Sequence, residues 1–242
     1  MRNAAIDIPA AKALGIQVCG TDSYKHAAPE LTWALIMAST RNLLAEANSL
    51  RADNWQVGLG GDLYGKTLGI LGLGSIGQKV AQFAQVFGMC VIAWSENLTP
   101  QRAAEAGATW VSKRELFEQA DILTVHLVLS ERSRGLVDAE ALSWMKPSAR
   151  LVNTARGPIV DEQALYEALS TGKLGAAGLD VFEEEPVSLD NPLLKLENTA
   201  FSPHLGTSVM ETRIRMATTA AADVIRVLNA EQPLYSLIRK AG

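Results

Sequence analysis

Arg156, Glu185 and His204 follow one another in the chain behind a glycine-rich turn at Gly72, Gly74 and Gly77. A planar guanidinium grips a carboxylate with two parallel hydrogen bonds, and an imidazole beside an acid can donate a proton near neutral pH. Glycines at the end of a strand leave room for a dinucleotide pyrophosphate. Together these groups imply hydride-transfer chemistry. Reduction of a ketone develops negative charge on oxygen, which an imidazolium both stabilises and protonates. Glu185 is expected to favour the charged form of His204, so a Glu185→Gln change is expected to move the pH profile of turnover. Each group also has a plainer reading: Arg156 as a surface ion pair, His204 as a structural histidine. His26 and His126 are weaker candidates, and no ligand spacing suits a metal.

The run LGLGSIG (Leu71 to Gly77) follows an expected strand and opens an expected helix, the context in which such a turn binds phosphate. Gly72 permits the tight turn, Gly74 lets an anion reach the backbone, and Gly77 lets helix and strand pack closely. Ser95 and Glu96 stand 18 and 19 residues past Gly77, where an acidic side chain usually takes the adenosine ribose. Glu96 can do so one place late. Arg102 is near enough in sequence to leave NADP open beside NAD.

These residues need strands to carry them. From Lys66 onward, expected strands cover Thr67–Leu71, Cys90–Trp94, Thr109–Val111, Ile122–Val125, Ala149–Asn153, Ala176–Leu179 and Thr199–Phe201, with helical periodicity between them. That alternation predicts an α/β protein with a doubly wound parallel sheet and helices on both faces. Ser75 to Phe87 reads as the helix after the glycine turn, stopped by Gly88. Upstream, Asp7 to Leu14 reads as helix and Ile16 to Cys19 as a strand. Glu30 to Ala52 reads as one long amphipathic helix whose apolar side is either core or a contact with a second subunit. Asn54 to Gly65, with four glycines and the single charge of Asp62, reads as a loop leading into a new domain. A last helix, Ser208 to Asn229, carries Ile214, Ala217, Ala221, Val224 and Leu228 on one stripe.

Composition narrows the classes. The 242 residues, 48% of them hydrophobic, can bury one large or two modest cores. Twenty-two basic against 26 acidic side chains, with no basic block, argue against nucleic acid. No apolar run reaches the roughly 18 residues a membrane span requires, and no signal peptide is recognisable. Cys19 and Cys90 read as two buried thiols in a reducing cytoplasm.

GLGSIG, HLVLSERSRGL, LVNTARGPIVDE, GLDVFEEEP and SPHLG, in this order, resemble the signatures of the D-isomer-specific 2-hydroxyacid dehydrogenases, and the resemblance runs essentially end to end. It implies a Rossmann-type sheet with the remnant of a second, flavodoxin-like substrate domain, and NAD-linked interconversion of 2-keto and D-2-hydroxy acids by a cytoplasmic homodimer. By the same resemblance Arg156 holds and polarises the substrate, and His204 with Glu185 forms the acid/base dyad. Asp180 would contact the nicotinamide. Ser75 and Ile76 join Gly72, Gly74 and Gly77 at the phosphates, Ser95 and Glu96 lie at the ribose, and His126, Leu127, Val128, Thr154 and Ala155 line the cofactor cleft. Domain limits of 1–28, 29–210 and 211–242 follow, for substrate-domain remnant, cofactor domain and returning helix. Family members carry an amino-terminal lobe ahead of the counterpart of Met1, so the chain reads as starting inside that lobe, with a weaker grip on substrate expected. Val128 stands where a proline is common, and Ser95 where an aspartate is usual. Two rival readings are a dinucleotide-sensing module resembling the corepressors of this family, and a fragment that binds cofactor without turnover.

Overall fold

The computed structural model describes residues 6–22 and 24–237, which divide into two units: one runs from Ala28 to Gly206, the other joins the segment before it to the segment after it. In the smaller unit, helix α1 (Ile8–Ala13) is capped by the Asp7 carboxylate on the Ala10 amide. The strand expected at Ile16–Cys19 shrinks to a single antiparallel bridge, Cys19 with Ser236, flanked by bonds from Gly20 to Tyr235 and from Leu237 to Val18.

Asn42 divides the helix expected over residues 30–52. Helix α2 (Ala27–Thr40) and helix α3 (Leu43–Arg51) meet at this residue, whose φ of 51° is left-handed. Asparagine reaches that region at small penalty, so two shorter helices replace one. The turn-rich run 54–65 lies within the larger unit, where Gly61 donates to the Thr40 carbonyl at the end of α2.

The larger unit then alternates as the apolar pattern requires: β1 (Thr67–Leu71), α4 (Ser75–Val86), β2 (Cys90–Trp94), α5 (Pro100–Glu105), β3 (Thr109–Trp110), α6 (Lys113–Gln119), β4 (Ile122–Val125), α7 (Ala139–Ser143), β5 (Arg150–Asn153), α8 (Glu162–Ser170), β6 (Ala176–Leu179) and β7 (Thr199–Phe201). All strands are parallel, in the order β3-β2-β1-β4-β5-β6-β7. Caps fix where the helices start: Ser112 and Glu115 form a reciprocal box at α6, while Asp138 and Asp161 cap α7 and α8.

Successive strand residues point to opposite faces, so the sheet separates two cores. Leu71, Leu123 and Leu151 join Phe117, Leu165 and Ile159 on one face; Ile70, Ile122 and Val152 join Ile36, Val80 and Ala84 on the other. Cys90, first residue of β2, is exposed and Cys19 half-buried, so the reading of two buried thiols fails. Cys90 opens its strand before the flanking layers close over it.

Helix α9 (Met210–Leu228) belongs to the smaller unit. Its apolar stripe stands exposed, Ile214 at 56% and Leu228 at 80%, whereas Thr212 and Asp223 are buried. Periodicity marks the stripe but not which side is covered. The Asp223 carboxylate accepts from the Leu234 and Tyr235 amides and so anchors the turn beyond the helix. Among the described residues no helix is long and apolar enough to cross a membrane.

Candidate active site

In a doubly wound sheet, ligands bind beyond the carboxyl ends of the strands where the strand order reverses. Here that point lies between β1 and β4, and the register aligns Leu71, Val125, Asn153, Leu179 and Phe201 along one edge. Strands sit about 4.8 Å apart, so loops leaving neighbouring strands are within side-chain reach of one another. Trp94 of β2 stands beside Leu71 in the same row, so all the expected site residues leave it.

Gly72 leaves β1 with φ of 106°, and a Cβ there would lie 2.9 Å from the His126 carbonyl carbon. A Cβ on Gly77 would overlap the Gly72 carbonyl oxygen, whereas nothing lies within 4 Å of one on Gly74. The turn is therefore closed behind and open in front. Helix α4 starts here without a side-chain cap, which leaves the first amides, those of Ser75 and Ile76 among them, free of a side-chain acceptor at the positive end of the helix dipole. This cradle fits a pyrophosphate. Ser95 follows Trp94, whose carbonyl accepts the Gly72 amide at 2.9 Å, so Ser95 and Glu96 stand beside the turn.

After β4, the His126 amide bonds the Leu71 carbonyl. Its Nε2 is shut off from solvent without a partner, and burial pushes the imidazole down to about 4. Leu127 packs against the core under Gly72, and Val128 is exposed with its carbonyl held by Ser133.

The loop after β5 is tied from within. Thr154 Oγ1 lies 2.7 Å from Thr32 Oγ1 of α2. The buried Asn153 side chain accepts the Ala155 amide and donates to the Arg156 carbonyl, both at 3.0 Å. Arg156 is exposed, its Nη1 donating to the Ala155 carbonyl. The next residue must be glycine, because a Cβ on Gly157 would overlap the Phe182 carbonyl.

Asp180 directly follows β6 and has no exposed surface. Its Oδ1 accepts from the Ser202 hydroxyl at 2.6 Å and the Leu205 amide at 2.7 Å, and its Oδ2 from the Gly206 amide at 3.0 Å. Its carbonyl accepts the His204 amide. Both carboxylate oxygens thus hold the 202–206 loop, and His204 at its centre adopts φ of 54°. His204 Nδ1 lies 2.7 Å from Glu185 Oε2, while Glu185 Oε1 accepts the Phe182 amide at 3.0 Å. The carboxylate is anchored on one side and the imidazole on the other, which leaves the second ring nitrogen for chemistry. Sequence reasoning missed Asn153, whose only signal was its place three residues before Arg156.

Residues 33–206 match the model of the D-isomer specific 2-hydroxyacid dehydrogenase family, NAD binding domain. The chain is 40% identical over 238 residues to a glyoxylate reductase of Aeropyrum pernix, covering 94% of this chain and 71% of that protein. It is 41% identical over 230 residues to a D-3-phosphoglycerate dehydrogenase of Methanocaldococcus jannaschii, covering 93% of this chain and 44% of that longer protein. A solved D-lactate dehydrogenase from Aquifex aeolicus, complexed with NAD and lactic acid, superposes with a TM-score of 0.87 at 26% identity, over 99% of this chain and 78% of that one.

Proposed function

This chain belongs to the D-isomer specific 2-hydroxyacid dehydrogenase family, NAD-dependent oxidoreductases of 2-keto and 2-hydroxy acids, and we propose that Arg156, Glu185 and His204 carry that reaction here. The observation that bears most weight is the 2.7 Å contact between His204 Nδ1 and Glu185 Oε2 on a loop clamped by a buried aspartate. The Gly72–Gly77 turn and the amides of Ser75 and Ile76 would hold the cofactor's diphosphate, Ser95 and Glu96 would take its adenosine ribose, and His126, Leu127, Val128, Thr154, Ala155 and Asp180 would line the rest of the cleft. When bound, NADH supplies the hydride that reduces the keto carbon.

Arg156 takes the substrate carboxylate bidentately and draws electron density from the carbonyl. His204 Nε2 gives its proton to the carbonyl oxygen as that oxygen gains the electron pair of the C=O bond, and Glu185 steadies the imidazolium from the far side. In the reverse direction the neutral imidazole takes the hydroxyl proton. The substrate is a small 2-keto acid, with glyoxylate and 3-phosphohydroxypyruvate, the keto acid of D-3-phosphoglycerate, as first choices from the relatives' names. The unit 28–206 serves as the cofactor domain, and the slight acidic balance with no basic block supports a small-molecule ligand over nucleic acid. A homodimer is supported by the exposed apolar run Trp55, Val57 and Leu59, with Leu59 at 88%, which a second copy would cover.

The test is a panel of 2-keto acids with NADH and with NADPH, run on the wild type, His204→Ala and Arg156→Ala. His204→Ala should lower kcat by roughly 10²- to 10⁴-fold, and Arg156→Ala should act chiefly on KM. Wild-type turnover in His204→Ala would sink the assignment. Thermal stabilisation by NADH with no turnover of any keto acid would move the reading to a cofactor-sensing module.

A further inference from the structure

We infer that Asn153 is the positioning residue for Arg156, a role that rests on the reading of Arg156 as the substrate's carboxylate anchor. Asn153 is 1% exposed, so its side chain meets neither solvent nor substrate. A buried primary amide must place two donors and one acceptor among polar partners, and an unmet group weakens the fold. Here the partners are the two backbone groups on either side of the arginine. The Ala155 N–H, one residue before, donates to Asn153 Oδ1, and the carbonyl of Arg156 itself accepts from Nδ2.

Both bonds constrain the same object. The amide of Ala155 and the carbonyl of Arg156 bracket the dihedral angles that aim the guanidinium, and Arg156 is held extended at φ of −152° and ψ of 137°. Other bonds close the frame: the Ile159 amide also reaches the Arg156 carbonyl, and Gly157 seals against the Phe182 carbonyl. Without such a frame, the loop that carries the arginine would lose backbone entropy on every binding event. With it, the direction in which the side chain leaves the backbone is set before the carboxylate arrives.

Asn153 also reaches the second loop through its backbone. Its carbonyl accepts the Asp180 amide at 3.0 Å, and Asp180 in turn holds the loop of His204. One strand-end residue therefore stands between the anchor and the proton donor, with no contact to the reacting atoms required of it.

A double-mutant cycle on glyoxylate reduction with NADH tests this, using Asn153→Ala, Arg156→Ala and the pair, with the Tm of each protein. Asn153→Ala is expected to lower kcat/KM on the order of 10-fold, mostly through KM, because small misplacements of a binding group carry large penalties. With Arg156 already removed, the same change should lose less than about twofold, since coupled residues are non-additive. A purely structural residue would lose the same factor in both backgrounds, and that additive result overturns the role. Asn153→Asp keeps the Oδ1 acceptor but turns a second oxygen toward the Arg156 carbonyl. It should raise KM in the same direction, and it replaces the alanine variant if that one does not fold. If Arg156→Ala itself leaves KM unchanged, the parent reading falls; an additive cycle with a strong Arg156→Ala effect removes only the role of Asn153.

Discussion

At the scale of single residues, Asp180 has the most to lose. A buried carboxylate without partners is strongly destabilising, and Asp180 offsets that penalty with three donors from one loop. The same bonds keep His204 in the left-handed region, where a non-glycine residue costs on the order of 1–3 kcal/mol. Asp180→Asn has nearly the same shape but turns an NH₂ toward backbone N–H groups that are themselves donors. At least one amide of Leu205 or Gly206 loses its acceptor, and the loop gains freedom to relax His204 away from Glu185. The expected outcome is a fall in kcat of roughly 10- to 100-fold and a loss of about 1–3 kcal/mol in stability, read by steady-state kinetics and chemical denaturation. A variant with wild-type kcat would show that the loop holds His204 without this carboxylate. The pairing of Glu185 with His204 and the place of Arg156 just past β5 were readable in the sequence because their motifs follow strands in order. The roles of Asp180 and Asn153 as clamps were not, since residue type does not reveal which backbone groups a loop returns to a buried side chain.

At the scale of elements, the β1–α4 unit sets the cleft, and its geometry turns on the absence of one methyl group. Alanine is the better helix former by about 1 kcal/mol, so propensity alone would favour Gly77→Ala in α4. Overlap of that Cβ with the Gly72 carbonyl decides otherwise, because the obstacle is backbone and cannot rotate aside. Either α4 shifts from β1 or the turn opens, and both spoil the cradle. Gly77→Ala should weaken NADH binding by at least about 10-fold, measured by fluorescence titration, with a net loss of about 2 kcal/mol or more in stability. Unchanged affinity would mean that the turn is not where the diphosphate binds. All seven sheet strands were readable within a residue, the six longer ones because buried parallel strands are short apolar runs bounded by turn residues, though β3 is a pair of exposed residues. The break at Asn42 was hidden because the apolar period continues across it, and α9 misled because its spacing marks a stripe without saying what covers it.

At the scale of the whole molecule, His126 couples folding to pH. It directly follows β4, the strand beside β1 in the middle of the sheet, with Nε2 buried and unpaired, and burial pushes it from 6.5 to about 4. The folded protein therefore holds this imidazole neutral at pH values where the unfolded chain would protonate it. The sign follows from proton counting: between pH 6.5 and about 4 the unfolded state binds more protons, so stability falls as pH falls. Above 6.5 both states are neutral at this position and nothing is lost; below about 4 both are charged and the loss levels off. One proton accounts for at most about 1.4 kcal/mol per pH unit across that window. Carboxylates that are paired in the fold, such as Asp121, add losses of the same sign: although burial raises Asp121, its bonds to Lys146 and the Thr67 amide outweigh this and hold it low. The comparison must therefore be made against a variant. His126→Gln keeps a polar group of similar size that does not titrate, so its denaturation free energy should fall less steeply between pH 6.5 and 4 than that of the wild type. Equal slopes for the two proteins would mean that His126 takes up its proton without opening the fold, and that acid unfolding belongs to the carboxylates alone.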